Sequence, residues 1–520
     1  MDRCDTPSRK RRGEALCAAT LLGALAFCFG CGVLESLEKR PEWNPDASAP
    51  PSHDRPWNPP TLVGEDRPEP TGGRPAEKRA AASQAVAALP APAGLNELID
   101  LALRQSPETR AAWADARARA AELGRAQSTY YPALRAEDEA GYARFLFQAR
   151  GGPITIKQWS AEPQLELTWL LLDFGRRSSA SEGARERLVA ANYSFNRKMQ
   201  DVVFAVQSAY YALDASRSLL SAAEENLRLA RTVLAAAENR LDVGLETQPN
   251  VLLARQTEAR ALYERENARV AVSDAQADLA LTLGVPADRP LEIVGLGAVP
   301  FPAEIAQTVD VLIDRALADR PDLAAKAADL RGREANVDLA RASLWPKVGL
   351  EGQYGVDVWR YRFDGPPTDS VASPDYGAFL TFQWDLFLGF DRLNAIRAAQ
   401  AERDRALADL EQLELETIAA VWRAWHDFRA ARQRDAYATA LLKASEDAYA
   451  STLESYRNGL GTVIDLLTGE RDLAGARFTR IQARAELLTS AAKLAYVSGA
   501  LSLGVPPPPA ASAARSPPRP

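Results

Sequence analysis

The body of this chain is written twice. Ser106-Pro107-Glu108 returns as Arg320-Pro321-Asp322, and Tyr131-Pro132 returns as Trp345-Pro346. Trp169-Leu170-Leu171-Leu172 is matched by Trp384-Asp385-Leu386-Phe387, Ala209-Tyr210 by Ala424-Trp425, and Gly244-Leu245-Glu246-Thr247 by Gly459-Leu460-Gly461-Thr462. The offset stays at about 214 or 215 residues throughout, which defines a tandem duplication. A chain so built must fold as two like units, here residues 95–305 and 306–504.

Each repeat has the same order of signals. A helical stretch runs from about Glu97 to Ser128, and again from about Val309 to Ser343. Tyr131-Pro132 and Trp345-Pro346 stop these helices, because proline cannot donate to the helical ladder and restricts the residue before it. Two strands are then expected in each repeat. Val348, Leu350, Tyr354, Val356 and Val358 alternate with Glu351, Gln353 and Asp357, and Tyr376, Ala378, Leu380, Phe382, Trp384 and Leu386 alternate with Gly377, Thr381, Gln383 and Asp385. In the first repeat Leu165, Leu167, Trp169 and Leu171 alternate with Gln164, Glu166 and Thr168. The run from Leu134 to Tyr142 is less regular, because Asp138 falls on its apolar face. Period-two runs with aromatic residues near their ends suit the wall of a membrane barrel.

Long helices follow. No proline interrupts Arg176 to Val243, and neither proline nor glycine interrupts Asp391 to Asn458. Roughly 65 residues at 1.5 Å each make a helix on the order of 100 Å. Leu213, Leu220, Leu227, Leu234 and Leu241 recur every seventh position with Ala223, Ala230 and Ala237 between them. That is a coiled-coil seam whose small layer admits a close neighbour. Gly244 and Gly459 break the helices; Thr247 and Thr462 are placed to cap the returning ones, expected to reach about Leu283 and Leu501. The second return has two possible ends, Gly499 by offset and Gly504 by its likeness to Gly284.

The termini are of another kind. Arg9 to Arg12 precede an apolar run from Ala15 to Phe29, which reads as an export signal over residues 1–30. Phe27-Cys28-Phe29-Gly30-Cys31 resembles a bacterial lipobox, making Cys31 the expected lipid anchor; signal cleavage nearby without a lipid is the alternative. Residues 31–94 are Pro-rich and polar, an extended tether, and residues 505–520 form a Pro/Ala/Arg tail.

Composition removes other functions. The 520 residues carry a net charge of −7, against a nucleic-acid binder. The only histidines are His53 and His426, and all four cysteines (Cys4, Cys17, Cys28, Cys31) precede residue 32. No metal cluster, Cys/His nucleophile or cofactor is therefore expected. His426, beside Asp427, reads as a solvated or groove-lining side chain.

Four strands cannot close a barrel, and an open sheet edge is not tolerated in lipid. Three copies, giving twelve strands, make the simplest ring with an interior wider than its own side chains. The expected fold is mainly α with membrane β: helix-strand-strand-helix repeats forming a trimeric barrel continued by a long α-helical barrel. This order, with Trp169 to Gly175, the stretches Ala126 to Pro132 and Ala340 to Pro346, and both Gly-Leu-x-Thr turns, resembles the TolC-like outer-membrane efflux family. Gly389-Phe390 reverses the Phe174-Gly175 of the first repeat.

The resemblance implies a homotrimer in the bacterial outer membrane with its helices in the periplasm. There it would meet a periplasmic adaptor and, through that, an inner-membrane pump. It also implies a passive exit duct for small molecules, with no enzymatic activity; a type I protein secretion duct is the alternative within the family, and a non-conducting coiled-coil scaffold the alternative outside it. Adaptor contact falls by resemblance to the hairpin tips, Val243, Gly244, Leu245 and Thr247 with Gly459, Leu460 and Thr462. The family's acidic constriction corresponds to Asp465. Thr462-Val463-Ile464-Asp465 is equally a capping box. The further acidic position of the family is Thr468 here, and the first-repeat equivalent of Asp465 is Asn250.

Overall fold

The computed structural model describes residues 50, 52–55, 90–149, 152–288, 291–295, 308–362 and 368–501. The export signal, Cys31, nearly all of the tether, Gly504 and the tail lie outside the described residues. The described chain forms two compact units: residues 117–188 with 334–400, and residues 50–116 with 189–333 and 401–501.

The first unit is built on one antiparallel sheet. Its strands are β1 (Ala133–Glu137), β2 (Ala140–Ala149), β3 (Gly152–Ala161), β4 (Gln164–Leu172), β5 (Lys347–Arg362) and β6 (Thr368–Gln383). β1 pairs with β4 and β2 with β3, while β5 pairs with both β3 and β4 on one side and with β6 on the other. The six segments thus occupy four lanes, as the two-strands-per-repeat expectation requires. The first repeat departs from it in that both its lanes are broken, at Asp138-Glu139 and at Glu162-Pro163. Asp138 puts a carboxylate on an apolar face, and Pro163 has no N–H for the ladder. In the second repeat β6 begins earlier than Tyr376 and stops at Gln383, before Trp384 and Leu386.

Register makes the sheet two-faced. Ala136, Leu165, Tyr354 and Tyr376 are cross-strand neighbours, as are Trp169, Leu350 and Leu380. Arg135, Glu166 and Gln353 line up on the other face, where Arg135 pairs with Glu166 at 3.4 Å and Gln353 donates to Asp375 at 3.3 Å. Most of the large apolar side chains of the first face are exposed, Leu134, Tyr376 and Leu380 among them. Among the described residues the outer edges of β1, β2 and β6 have no pairing partner.

The return from sheet to helix explains the reversed Phe/Gly order. Phe174 and Gly175 both have positive φ, 51° and 97°, and so do Gly389 and Phe390, at 58° and 67°. Two successive left-handed residues are needed in each repeat, so a single glycine serves in either place. Equivalent side chains then close both junctions. Arg177 donates to the Leu170 and Leu171 carbonyls and pairs with buried Asp173 at 2.9 Å; Arg392 donates to the Asp385 carbonyl and carboxylate. Trp169 and Trp384 donate to the carbonyls of Tyr130 and Leu344, just ahead of each aromatic-Pro step.

The helices are α1 (Leu95–Gln105), α2 (Pro107–Ser128), α3 (Arg176–Asp242), α4 (Gln248–Leu283), α5 (Val309–Asp319), α6 (Pro321–Ala342), α7 (Asp391–Arg457) and α8 (Val463–Val497). Each stretch expected as one opening helix is two. Pro107 and Pro321 start new helices, where their missing N–H is no loss, and Ser106 and Arg320 before them turn away from helical ψ. The long helices α3 and α7 run unbroken for 67 residues each.

In the second unit each repeat forms its own core. Leu98, Leu101 and Ala102 of α1 pack with Val206, Tyr210 and Leu213 of α3 and Leu279 and Leu283 of α4. Leu312 and Ala316 of α5 pack likewise with Val421, Ala424 and Phe428 of α7 and Leu487 and Leu494 of α8. Two of the three seam alanines are buried, Ala230 with Ala261 and Ala237 with Ala254, both of α4, while Ala223 is half-buried. Both return helices end in the same cap. Gly284 and Gly499 have φ of 70° and 72°, and the following N–H of Val285 and Ala500 reaches back to Ala280 and Ala495. The second return therefore ends at Gly499.

Candidate functional site

The two hairpin turns, α3 to α4 and α7 to α8, carry the residues that the sequence singles out. Both are Schellman turns. Gly244 and Gly459 hold φ of 75° and 73°; the Gly244 N–H donates to Leu241 and that of Leu245 to Arg240, while Gly459 donates to Tyr456 and Leu460 to Ser455. Such turns commonly fold the apolar residue after the glycine back on the helix. Here those residues point away: Leu245 is 68% and Leu460 85% exposed, and Val243 and Ile464 are exposed beside them.

The returning helices start differently. Thr462 and Asp465 form a reciprocal capping box: the Asp465 N–H donates to the Thr462 hydroxyl at 3.2 Å, and the Thr462 N–H donates to the Asp465 carboxylate at 3.1 Å. The hydroxyl donates to the same carboxylate at 2.6 Å, and these bonds hold the Asp465 carboxyl below its ordinary value. Asp465 is exposed. The side chain of Thr247, expected to cap α4, makes no capping bond. Asn250 stands where the reciprocal carboxylate is needed, and Glu246 takes over instead. Its carboxylate accepts from the Thr247 N–H at 3.1 Å and from the Asn250 amide at 2.6 Å.

Two further features were not legible in the sequence. Arg240, in the last turn of α3, donates to the Tyr456 carbonyl of α7 at 3.1 Å and lies over the Tyr456 ring at 4.7 Å. The two turns are thereby tied together. Just inside them Val233 of α3, Tyr449 and Tyr456 of α7, and Val463, Leu466 and Leu473 of α8 form one apolar cluster. No local pattern marks Arg240, because its partner is far along the chain.

His426 packs between Trp422 and Trp425 on α7, at ring distances of 4.6 and 4.9 Å. Among the described residues no group of His, Cys, Asp and Glu could hold a metal ion, and no helix is long and apolar enough to cross a membrane.

Comparison with known proteins is consistent along nearly the whole described chain. The profile of the family described as outer membrane efflux protein matches residues 98–285 and 312–500, one match per repeat. Protein CyaE of Bordetella pertussis is 33% identical over 78% of this chain and 84% of its own length. The probable efflux pump outer membrane protein TtgC of Pseudomonas putida is 26% identical over 77% and 81%. Among solved structures the outer-membrane channel OprN superposes with a TM-score of 0.68 at 21% identity, covering 85% of this chain and 99% of that one.

Proposed function

This chain belongs to the outer membrane efflux protein family, and from that premise we propose that three copies join edge to edge into a closed twelve-stranded barrel. It is an efflux channel of the bacterial outer membrane and not an enzyme. The observation that carries the trimer is the sheet itself: four lanes with an exposed apolar face and two unpaired edges. In lipid both edges must be paired, and β6 of one copy against β1 and β2 of the next pairs them by repetition. The apolar face then meets hydrocarbon. Light scattering in mild detergent is expected to give three chains per particle; a monodisperse monomer would overturn the closure.

The exposed turns of both repeats meet a periplasmic adaptor, which links the channel to an inner-membrane pump. Leu245, Leu460 and Val243 supply the apolar contact, and Gly244 and Gly459 set the turn that presents them. Small molecules are the cargo. The relatives named for antibiotic, toluene and pyoverdine export support this class.

Asp465 has two roles in this reading. It completes the cap of α8, and in the trimer its three copies face one another at the mouth, where like charges draw in a cation. The roles separate by mutation. Asp465→Asn is expected to relieve block by divalent cations in planar bilayers, whereas Thr462→Ala opens the cap, keeps the carboxylate and retains the block. Equal block in wild type and Asp465→Asn would leave Asp465 a cap alone. The cap has its own pH sign. A carboxyl held low in the fold contributes stability above its unfolded value, near 3.8, and loses it as pH falls through the lowered folded value. The turn thus loosens only in strong acid.

A further inference from the structure

We propose that Glu470 of α8 is a proton-operated latch: with its proton on, α8 packs against α3 and α7 just inside the second turn, and loss of that proton loosens the packing. Glu470 lies on the same helical face as Val463, Leu466 and Leu473, the face that builds the apolar cluster with Val233 and Tyr449. It is 5% exposed, and its Oε2 has no hydrogen-bond partner among the described residues. A carboxylate in such a place loses its hydration and gains nothing in return, whereas a neutral carboxyl is tolerated.

The surrounding groups do not supply a counter-charge. Tyr449, Tyr456 and Arg457 face this region from α7, Arg228 and Arg240 from α3, and Arg477 from α8 itself. None of these cations is bonded to Glu470: Arg228 pairs with Glu225 at 2.5 Å, Arg477 donates to the Asn226 amide oxygen at 2.9 Å, and Arg240 donates to the Tyr456 carbonyl. Arg457 is exposed. The Tyr449 hydroxyl is itself pushed up, first by burial and then by Glu470. Burial alone raises the Glu470 carboxyl from 4.5 to about 7.

The sign follows. The packed form holds the proton and the loosened form, with the carboxyl back in water, gives it up. Packing is therefore fully supported below the ordinary carboxyl value, weakens as pH rises, and levels off above the folded value near 7. The ratio of loosened to packed α8 should rise about tenfold from pH 6 to pH 8. Because the cluster lies directly inside the turn, the mouth of the channel proposed above would open more readily on the alkaline side.

The test uses the full-length protein in detergent, with amide hydrogen exchange over 463–473 corrected for the intrinsic pH effect, and conductance measured beside it. Wild type is expected to show the tenfold rise; Glu470→Gln and Glu470→Leu are expected to flatten it and stay protected at pH 8. A flat wild-type profile, or a Glu470→Gln profile as steep as wild type, would overturn the latch. Exchange that follows Glu470 with no conductance in any variant would sustain the latch and count against the channel reading instead.

Discussion

Replacing Leu245 and Leu460 together by glutamate is expected to abolish export while leaving the trimer and its conductance unchanged. Both side chains sit after a left-handed glycine, point away from their own helices and are more than two-thirds exposed. Their loss therefore removes little packing within the chain. On a partner, a fully buried leucine contributes about 1.5–3 kcal/mol, and a glutamate in its place adds the cost of burying a charge. Two such positions should weaken adaptor binding by at least about a hundredfold per protomer. Calorimetry with the cognate adaptor, beside single-channel recording, checks it. An unchanged affinity would move the docking surface away from the tips.

The second large effect separates two glycines of equal φ. Gly284→Ala is expected to cost about 3 kcal/mol, and Gly244→Ala only about 1–2 kcal/mol. Both residues are left-handed, so an alanine pays the same backbone penalty at each. At Gly284, however, the new Cβ would stand 2.9 Å from the Gln105 carbonyl oxygen and 3.3 Å from Pro107, whereas nothing lies within 4 Å of it at Gly244. Gly499, with Asp319 at 3.4 Å, should fall between. Denaturant midpoints of the three variants decide it. A Gly244→Ala variant as damaged as Gly284→Ala would mean that the backbone conformation alone matters.

What could be read from the residues in order is periodic or local. The duplication, the 67-residue helices, the alternating strands and both glycine turns are each set by a repeat distance or by a few neighbouring residues. Asp138 announced a fault in the first strand, and the chain breaks there. Thr462 and Asp465 are three apart, so their capping box was visible. Thr247 does stand at the N-cap of α4, but its hydroxyl makes no capping bond: the Asn250 N–H donates to the Thr247 carbonyl, and Glu246 accepts from the Thr247 N–H. The helix starts at Pro107 and Pro321 are hidden in the linear order, since proline at a first helical position leaves the apolar pattern on either side unchanged.

The double architecture is legible as a repeat of motifs about 214 residues apart, and the amphipathic strands and the tips as patterns carried within a few neighbouring residues. Folding alone settles which strand edges stay unpaired, that Arg240 of one hairpin holds Tyr456 of the other, that Gly284 abuts a carbonyl while Gly244 faces open space, and that Glu470 is shut among apolar side chains. Each of these is a meeting of segments far apart in the chain. Its energy depends on which atoms approach and on whether water is excluded between them, and a linear order of residues does not contain that distance.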